Sequence, residues 1–443
     1  MRLQQNQNPR RHRLRIIRNW ISQTGYPTCL TVNISCQKDS RQAILFDIFK
    51  KQHYAGGIVE KVYLKACPSY DDPKLADKIR EGFEKIDFDP NLFSGMRVGL
   101  KPNMLLPSNP DRAIITHPTF FKIIAQIVKE HNGTPVLLEN PAIHSLNTVL
   151  KKTPYGELID TLGLEVPDMT PTQLILFDDA YRYKKIEISK AFFDIDMLIN
   201  LPKLKTHGLT IITGALKNLF GVIPGLKKSR IHLKAPSRDD FSNFMMDLYG
   251  ALSHGFDPPR PMLHIMDGIL GMEGEGPGLS GTPRQVGVIL MGRDPLAVDW
   301  VVTQIVKISP DDVPTLKAGF DRPFCISSPD EIEMVGDKLD ALQLLSFKSS
   351  KNSIFSNAVR WPFTSPLFKQ LLVEKPVPNP DKCTLCYQCR QICPAKAISR
   401  ATERAKIPTY DYNACIRCFC CMEICPEAAI QSQKGWLQWL LRY

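Results

Sequence analysis

Eight cysteines carry the clearest chemistry in this 443-residue chain. Cys383, Cys386, Cys389 and Cys393, followed by Pro394, recur as Cys415, Cys418, Cys421 and Cys425, followed by Pro426, each displaced by 32 residues. Ala397-Ile398 recurs as Ala429-Ile430 at the same offset. Each half reads C-x2-C-x2-C-x3-C-P. Short spacings let one turning loop offer three thiolates to one small cluster, while the fourth, beside proline, ligates the opposite cluster. The spacing predicts two 4Fe–4S clusters. Cys383, Cys386, Cys389 and Cys425 would hold the first, and Cys415, Cys418, Cys421 and Cys393 the second. Zinc is the rival, but zinc ribbons use two C-x-x-C pairs rather than triplets with a trailing C-x3-C-P. Cys420 is extra and reads as a buried spare thiol able to swap in under oxidation. So small a module has little core, so ligation should supply much of its stability.

A second constellation is basic. Lys203, Lys205 and His207 precede an apolar stretch expected to be a helix from about Leu209 to Phe220. Basic residues ahead of a helix N-terminus make an anion site. Lys101 and Asn103, Glu139 and Asn140, Asn200 and Thr206 fall at the ends of apolar runs, as do Asp267, Glu273, Asp294 and Asp299. For any one of them a solvated strand end or a helix cap is the plainer reading, but five strand ends behaving alike argue for a site. Lys101, Lys203, Lys205 and His207 are predicted to hold an anionic group, with His207 or Lys217 as proton donor. Lys217 lies inside the expected helix, where it needs an acid, a bound anion or a route to the surface. Asp267, Glu273 and Asp299 are candidate metal ligands or bases. Gly276-Pro277-Gly278-Leu279-Ser280-Gly281 matches G-x-G-x-x-G literally, yet it neither follows a strand directly nor opens a helix. It reads as a flexible loop, a lid, with Glu273 and Glu275 exposed.

The elements that must position these residues alternate. Apolar runs at 96–103, 135–140, 196–203, 262–268 and 286–294 read as buried strands, and a first strand starts near Ile58. His117–His131 carries Phe120, Ile123, Ile124, Ile127 and Val128 at helical spacing, with Pro118 suited to the first turn and Gly133 to the C′ position. Pro295–Val306 reads as another helix. Strand–helix–strand alternation predicts an α/β body with a doubly wound, mostly parallel sheet, whose ligands gather at the carboxyl ends of the strands.

Charge and boundaries complete the reading. The formal charge is +11, but residues 1–57 hold ten Lys/Arg against two acids, so the rest is nearly neutral and nucleic-acid binding loses support. Residues 10–21 can form a short basic amphipathic helix. A surface anchor, a transit peptide and a disordered leader are the readings, the leader favoured. The expected organisation is a disordered extension 1–57, an α/β domain 58–345, a linker 346–375 with Trp361, Phe363 and Phe368, a two-cluster module 376–433 and an amphipathic tail 434–443. No run of 18 apolar residues occurs, and no signal-peptide core precedes a cleavage site, so the expected location is cytoplasmic.

The C-terminal repeat resembles the bacterial two-4Fe–4S ferredoxins, which implies a small α+β fold. The body resembles the domain of unknown function 362 family through Lys101-Pro102-Asn103, Thr116-His117-Pro118, 202-PKLKTHGLT-210, 213-TGALKNLFG-221, Asp267-Gly268 with 271-GMEGEGP-277, and 293-RDPLAVD-299. The resemblance implies an iron–sulfur protein and brings no settled reaction. Two functions are expected. One is an oxidoreductase passing electrons through the clusters to a small anionic substrate at the sheet edge. The other is a non-enzymatic carrier whose α/β domain docks a redox protein that gives or takes electrons.

Overall fold

The computed structural model describes residues 59–342, 346–348 and 374–433. Every described residue belongs to one compact unit. The extension 1–57 with its expected helix, the linker aromatics Trp361, Phe363 and Phe368, and the tail 434–443 lie outside the described residues.

Nine strands form one sheet. Its order is Ile332–Gly336, Glu60–Ala66, Gly281–Gly292, Met262–Gly274, Met197–Leu201, Arg97–Pro102 and Thr134–Leu137. Lys203–His207 continues beside Met262–Gly274 and pairs back on Ile211–Thr213. All five residues of the central Met197–Leu201 are buried, as a strand between two helical layers requires. Its neighbours Arg97–Pro102 and Met262–Gly274 both run parallel to it. On one face, Ile79 and Phe83 of the helix Leu75–Lys85 pack with Phe120, Phe121 and Ile124 of Pro118–Glu130. On the other, Phe241, Met245 and Leu248 of Arg238–His254 pack with Val298, Val301 and Val302 of Pro295–Val306. The body is thus α/β with a mostly parallel, doubly wound sheet.

Three departures from expectation have local causes. Met262–Gly274 and Gly281–Gly292 pair antiparallel, from Gly292 opposite His264 to Gly281 opposite Gly274. Only six residues join them, too few for the crossover that parallel pairing needs. At the end of Pro118–Glu130 the left-handed residue is Asn132 (φ 58°), not Gly133. Asn132 N–H donates to Lys129 O and Gly133 N–H to Val128 O, a Schellman closure with asparagine at C′. A Cβ on Gly133 would meet Val128 Cγ1 at 2.7 Å, so close approach selects the glycine. Finally, the helix expected over Leu209–Phe220 is a strand, Ile211–Thr213, then one helical turn, Ala215–Asn218. The β-branched Ile212 and Thr213 favour the extended form, while Ile211 turns the chain at φ 68°.

The cysteine repeat folds as two short helices, Gln388–Ile392 and Cys420–Glu423, with two small antiparallel ladders. Lys375–Pro378 pairs with Ile430–Gln433, and Ile398–Ser399 with Thr409–Tyr410. Ile392, Ile398, Met422 and Ile424 join the apolar cluster that contains Phe120 and Phe121. The repeat therefore packs on the body rather than standing apart.

Candidate functional site

The two halves of the repeat share a backbone conformation. Leu385 and Arg417 (φ 57° and 61°), Tyr387 and Phe419 (both 58°), and Lys396 and Ala428 (52° and 47°) are all left-handed. Each such non-glycine residue costs roughly 1–2 kcal/mol, a cost retained where the loop must turn sharply to aim side chains inward. Ala397 N–H donates to Cys393 Sγ and Ala429 N–H to Cys425 Sγ, both at 3.3 Å. Cys383, Cys386, Cys389 and Cys425 line one cavity, with Tyr410 on its wall. Burial pushes the Cys421 thiol up, and Cys418, Cys415, Cys389 and Cys393 around it add to the rise. Burial likewise raises Cys393, with Cys418 and Cys415 contributing. Crowded, buried thiols with N–H groups directed at sulfur are the donor chemistry an iron–sulfur cluster takes, and binding iron displaces their protons.

A second cavity, of about 90 Å³, lies between the carboxyl ends of the strands and the helix Cys420–Glu423. Lys101, Lys205, Lys217 and Lys228 line it, with His207 and His232, against two carboxylates, Glu139 and Glu423. Ile392, Cys420 and Ile424 close it from the repeat. Lys101 Nζ pairs with Glu139 Oε2 at 2.8 Å, both side chains buried. Lys205 Nζ reaches Asn103 Oδ1 at 2.7 Å and Ile114 O at 2.9 Å, both neutral acceptors. Burial, with Lys203 and Lys217 adding repulsion, holds Lys205 down at about 7. Burial also lowers Lys228 to about 7, and its Nζ donates to Asn140 O. Lys217 Nζ lies 4.5 Å from the Phe220 ring centre, a cation–π contact rather than a snorkel to the surface. His207 Nδ1 accepts from Leu209 N–H at 3.0 Å, which leaves the proton on Nε2, 3.4 Å from Glu423 Oε1. Burial depresses His207 and keeps it neutral, and burial raises Glu423.

Other expected site residues go elsewhere. Lys203 does not line this cavity. Its Nζ pairs with Asp267 Oδ2 at 2.8 Å and donates to Tyr70 OH at 2.6 Å. Tyr70 OH donates to Asp267 Oδ1, and the Tyr70 ring stacks on His117 at 3.6 Å. Asp267 also accepts the His117 N–H, so this network ties the sheet to the start of Pro118–Glu130. Asp299 caps the turn Ala215–Asn218, accepting from Ala215 and Leu216 N–H at 2.5 and 3.1 Å. The helix N-terminus expected to bind an anion is thus already filled by a carboxylate. Burial pushes Asp299 up to about 7 against those two donors. Asp294 caps Pro295–Val306 through Leu296 and Ala297 N–H. Glu273 is buried, accepts from Lys348 N–H and faces Arg284. Among the described residues no three of His, Cys, Asp and Glu are grouped to hold a single metal ion. The Gly276–Gly281 loop is wedged in place: a Cβ on Gly278 would collide with Glu423 O, and one on Gly276 with Thr206 O.

Comparison with known proteins agrees with this division. Residues 98–304 match the family described as domain of unknown function (DUF362), and residues 375–426 match the 4Fe–4S dicluster domain. The thylakoid-associated protein sll1697 of Synechocystis sp. is 33% identical over 263 residues, 59% of this chain and 79% of that one. The chain belongs to the DUF362 family. It carries a 4Fe–4S dicluster domain and hence two 4Fe–4S clusters as cofactors. A lactate racemase apoprotein from Thermoanaerobacterium thermosaccharolyticum superposes with a TM-score of 0.31 at 15% identity, covering 49% of this chain and 52% of that one. The chain thus spans about half the length of that structure.

In this DUF362 chain, sequence reasoning missed Lys228, His232, Tyr70 and Glu423. Lys228 lies in the basic run Lys227-Lys228-Ser229-Arg230, which was a visible signal. Glu423 occupies the repeat position of Gln391, so the break in the repeat marked it. Tyr70 gave no signal, because only the sheet brings it to Asp267.

Proposed function

We propose that this protein moves electrons through its two 4Fe–4S clusters to a small anionic substrate held in the lysine-lined cavity. The assignment gives Cys383, Cys386, Cys389 and Cys425 to one cluster and Cys415, Cys418, Cys421 and Cys393 to the other. The observation that carries it is a shared wall. The helix Cys420–Glu423, which bears Cys421 and follows Cys418, closes the cavity that Lys101, Lys205, Lys217 and Lys228 line. The clusters supply one-electron transfer when bound. The protein supplies the rest. Lys205, Lys217 and Lys228 lack a carboxylate hydrogen-bond partner among the described residues and are the groups that would clamp the anion. Lys205, poised near neutral pH, and the neutral His207 Nε2–H are the proton donors within the same wall.

The test uses anaerobically reconstituted protein. It should hold about eight iron and eight sulfide. Lys205→Ala with Lys217→Ala should keep that content and lose binding of inorganic phosphate or succinate by about 10–100-fold, as loss of a charge-assisted contact implies. Unchanged anion binding would sink the reading.

The second reading is a carrier whose α/β body docks a redox protein. The exposed Leu385 and Cys386 favour it, because a partner could approach the first cluster there. A carrier would pass electrons equally well in the double variant. We place the protein in the cytoplasm, in keeping with eleven cysteines outside any disulfide among the described residues. No helix among them is long and apolar enough to cross a membrane. Attachment to a membrane surface, which the cyanobacterial relative's name suggests for that protein, is the alternative address, and cell fractionation separates the two.

A further inference from the structure

Arg417 is the odd residue of the repeat. It sits between Cys415 and Cys418 and is 8% exposed. Its Nε, Nη1 and Nη2 are buried and have no hydrogen-bond partner among the described residues. Its guanidinium carbon lies 5.0 Å from the centre of the Tyr412 ring. A guanidinium keeps its charge in a protein, and burying it without an anion is costly. Cys415 and Cys418 flank it in sequence, and the Tyr412 ring it covers lies within electrostatic reach of Cys415 and Cys421, so the anion at hand is the thiolate set of Cys415, Cys418, Cys421 and Cys393.

The internal symmetry supplies the control. The residue 32 positions before Arg417 is Leu385. Both are left-handed, at φ 61° and 57°. The backbone is the same and the electrostatics differ: Leu385 carries no charge and is 40% exposed. Reduction adds a negative charge to a cluster, so a buried cation beside it favours the reduced form, the more so away from water.

We infer that Arg417 makes the second cluster the stronger electron acceptor of the pair, so that an electron comes to rest on the cluster beside the lysine-lined cavity. The inference builds on the cavity reading above, which gives the electron its destination. The exchange balances simply. A reduced one-electron carrier is oxidised, a cluster is reduced, and no bond or proton moves. Arg417 is a positioning residue here. It touches no substrate and acts through the energy of the reduced cluster.

The test is a potentiometric titration of the anaerobic holoprotein followed by electron paramagnetic resonance, with no substrate present. Arg417→Gln should lower the more positive of the two reduction waves by at least tenfold in equilibrium constant, 59 mV for one electron, and leave the other in place; a shift of the more negative wave alone would overturn the inference. Arg417→Lys should keep most of the wild-type value. Two unmoved waves, or two that fall together, would overturn the inference. If Arg417→Gln does not take up iron, the wild type decides. In protein labelled with nitrogen-15 only in the arginine guanidinium, which leaves the Arg390 N–H beside Cys389 silent, the cluster that reduces first should show a nitrogen-15 hyperfine coupling, and no coupling there would overturn the inference. Because neither measurement involves the cavity, its failure is distinct from failure of the cavity reading.

Discussion

Two lysines two residues apart show how chemistry is divided at the level of single side chains. On a regular strand Lys203 and Lys205 would share a face and a partner. Here the pairing slips between them, with Lys203 opposite Asp267 and Lys205 opposite Met272. Lys203 falls into a buried ion pair and Lys205 into the cavity. The residue types announced the site, but nothing local announces a slip in register, so their separate fates were not legible. Removing one partner of the buried pair leaves an uncompensated charge. Asp267→Asn should therefore destabilise the protein by about 3–5 kcal/mol, read by denaturant unfolding. Lys205 sets a pH dependence. Its value is depressed to about 7 by burial, so it is charged below that pH and neutral above. Succinate, fully ionised near neutral pH, should bind the holoprotein less tightly as pH rises through about 7 and Lys205 and Lys228 lose their charge, and its affinity should fall less steeply in Lys205→Ala. A bound anion would shift the midpoint upward, because it favours the charged form.

At the scale of elements, periodicity located six strands of the sheet and the helices Pro118–Glu130 and Pro295–Val306, since buried parallel strands and amphipathic helices write their burial into sequence, but it missed the longest helix, Arg238–His254. It failed at Leu209–Phe220, where a short strand and a helical turn share one apolar run that either conformation could use. The turn exists because Asp299, 84 residues later, caps it. A long-range cap leaves no local trace. The antiparallel hairpin was half hidden for a different reason: polar residues such as Arg284 interrupt its outer part. The glycine loop at its tip was legible as unusual but not as what it is, a wedge against the helix Cys420–Glu423. Gly278→Val would force that helix away from the cavity. The variant should retain both clusters and lose at least tenfold in phosphate affinity. Unchanged affinity would mean that the wedge does not set the cavity wall.

For the whole molecule, the cysteine repeat was fully readable, because eight ligand-type residues at fixed spacing leave few alternatives. The association of that repeat with the sheet was not. It depends on Ile392, Met422 and Ile424 meeting the apolar layer around Phe120, a contact between segments hundreds of residues apart in sequence. That packing brings two separate sequence signals, the cysteine repeat and the lysines, to the walls of one cavity. The +11 charge misled as a bulk property, since four lysines among 56 basic residues line the cavity. On the proposed function, an anion in the cavity sits within electrostatic reach of a cluster. The most direct measurement is the reduction potential of each cluster in the holoprotein, with and without saturating phosphate. Phosphate should lower the wave of one cluster, because a nearby anion opposes reduction, and Lys205→Ala with Lys217→Ala should abolish the shift. Waves indifferent to phosphate, or shifting equally in that double variant, would contradict the proposed function.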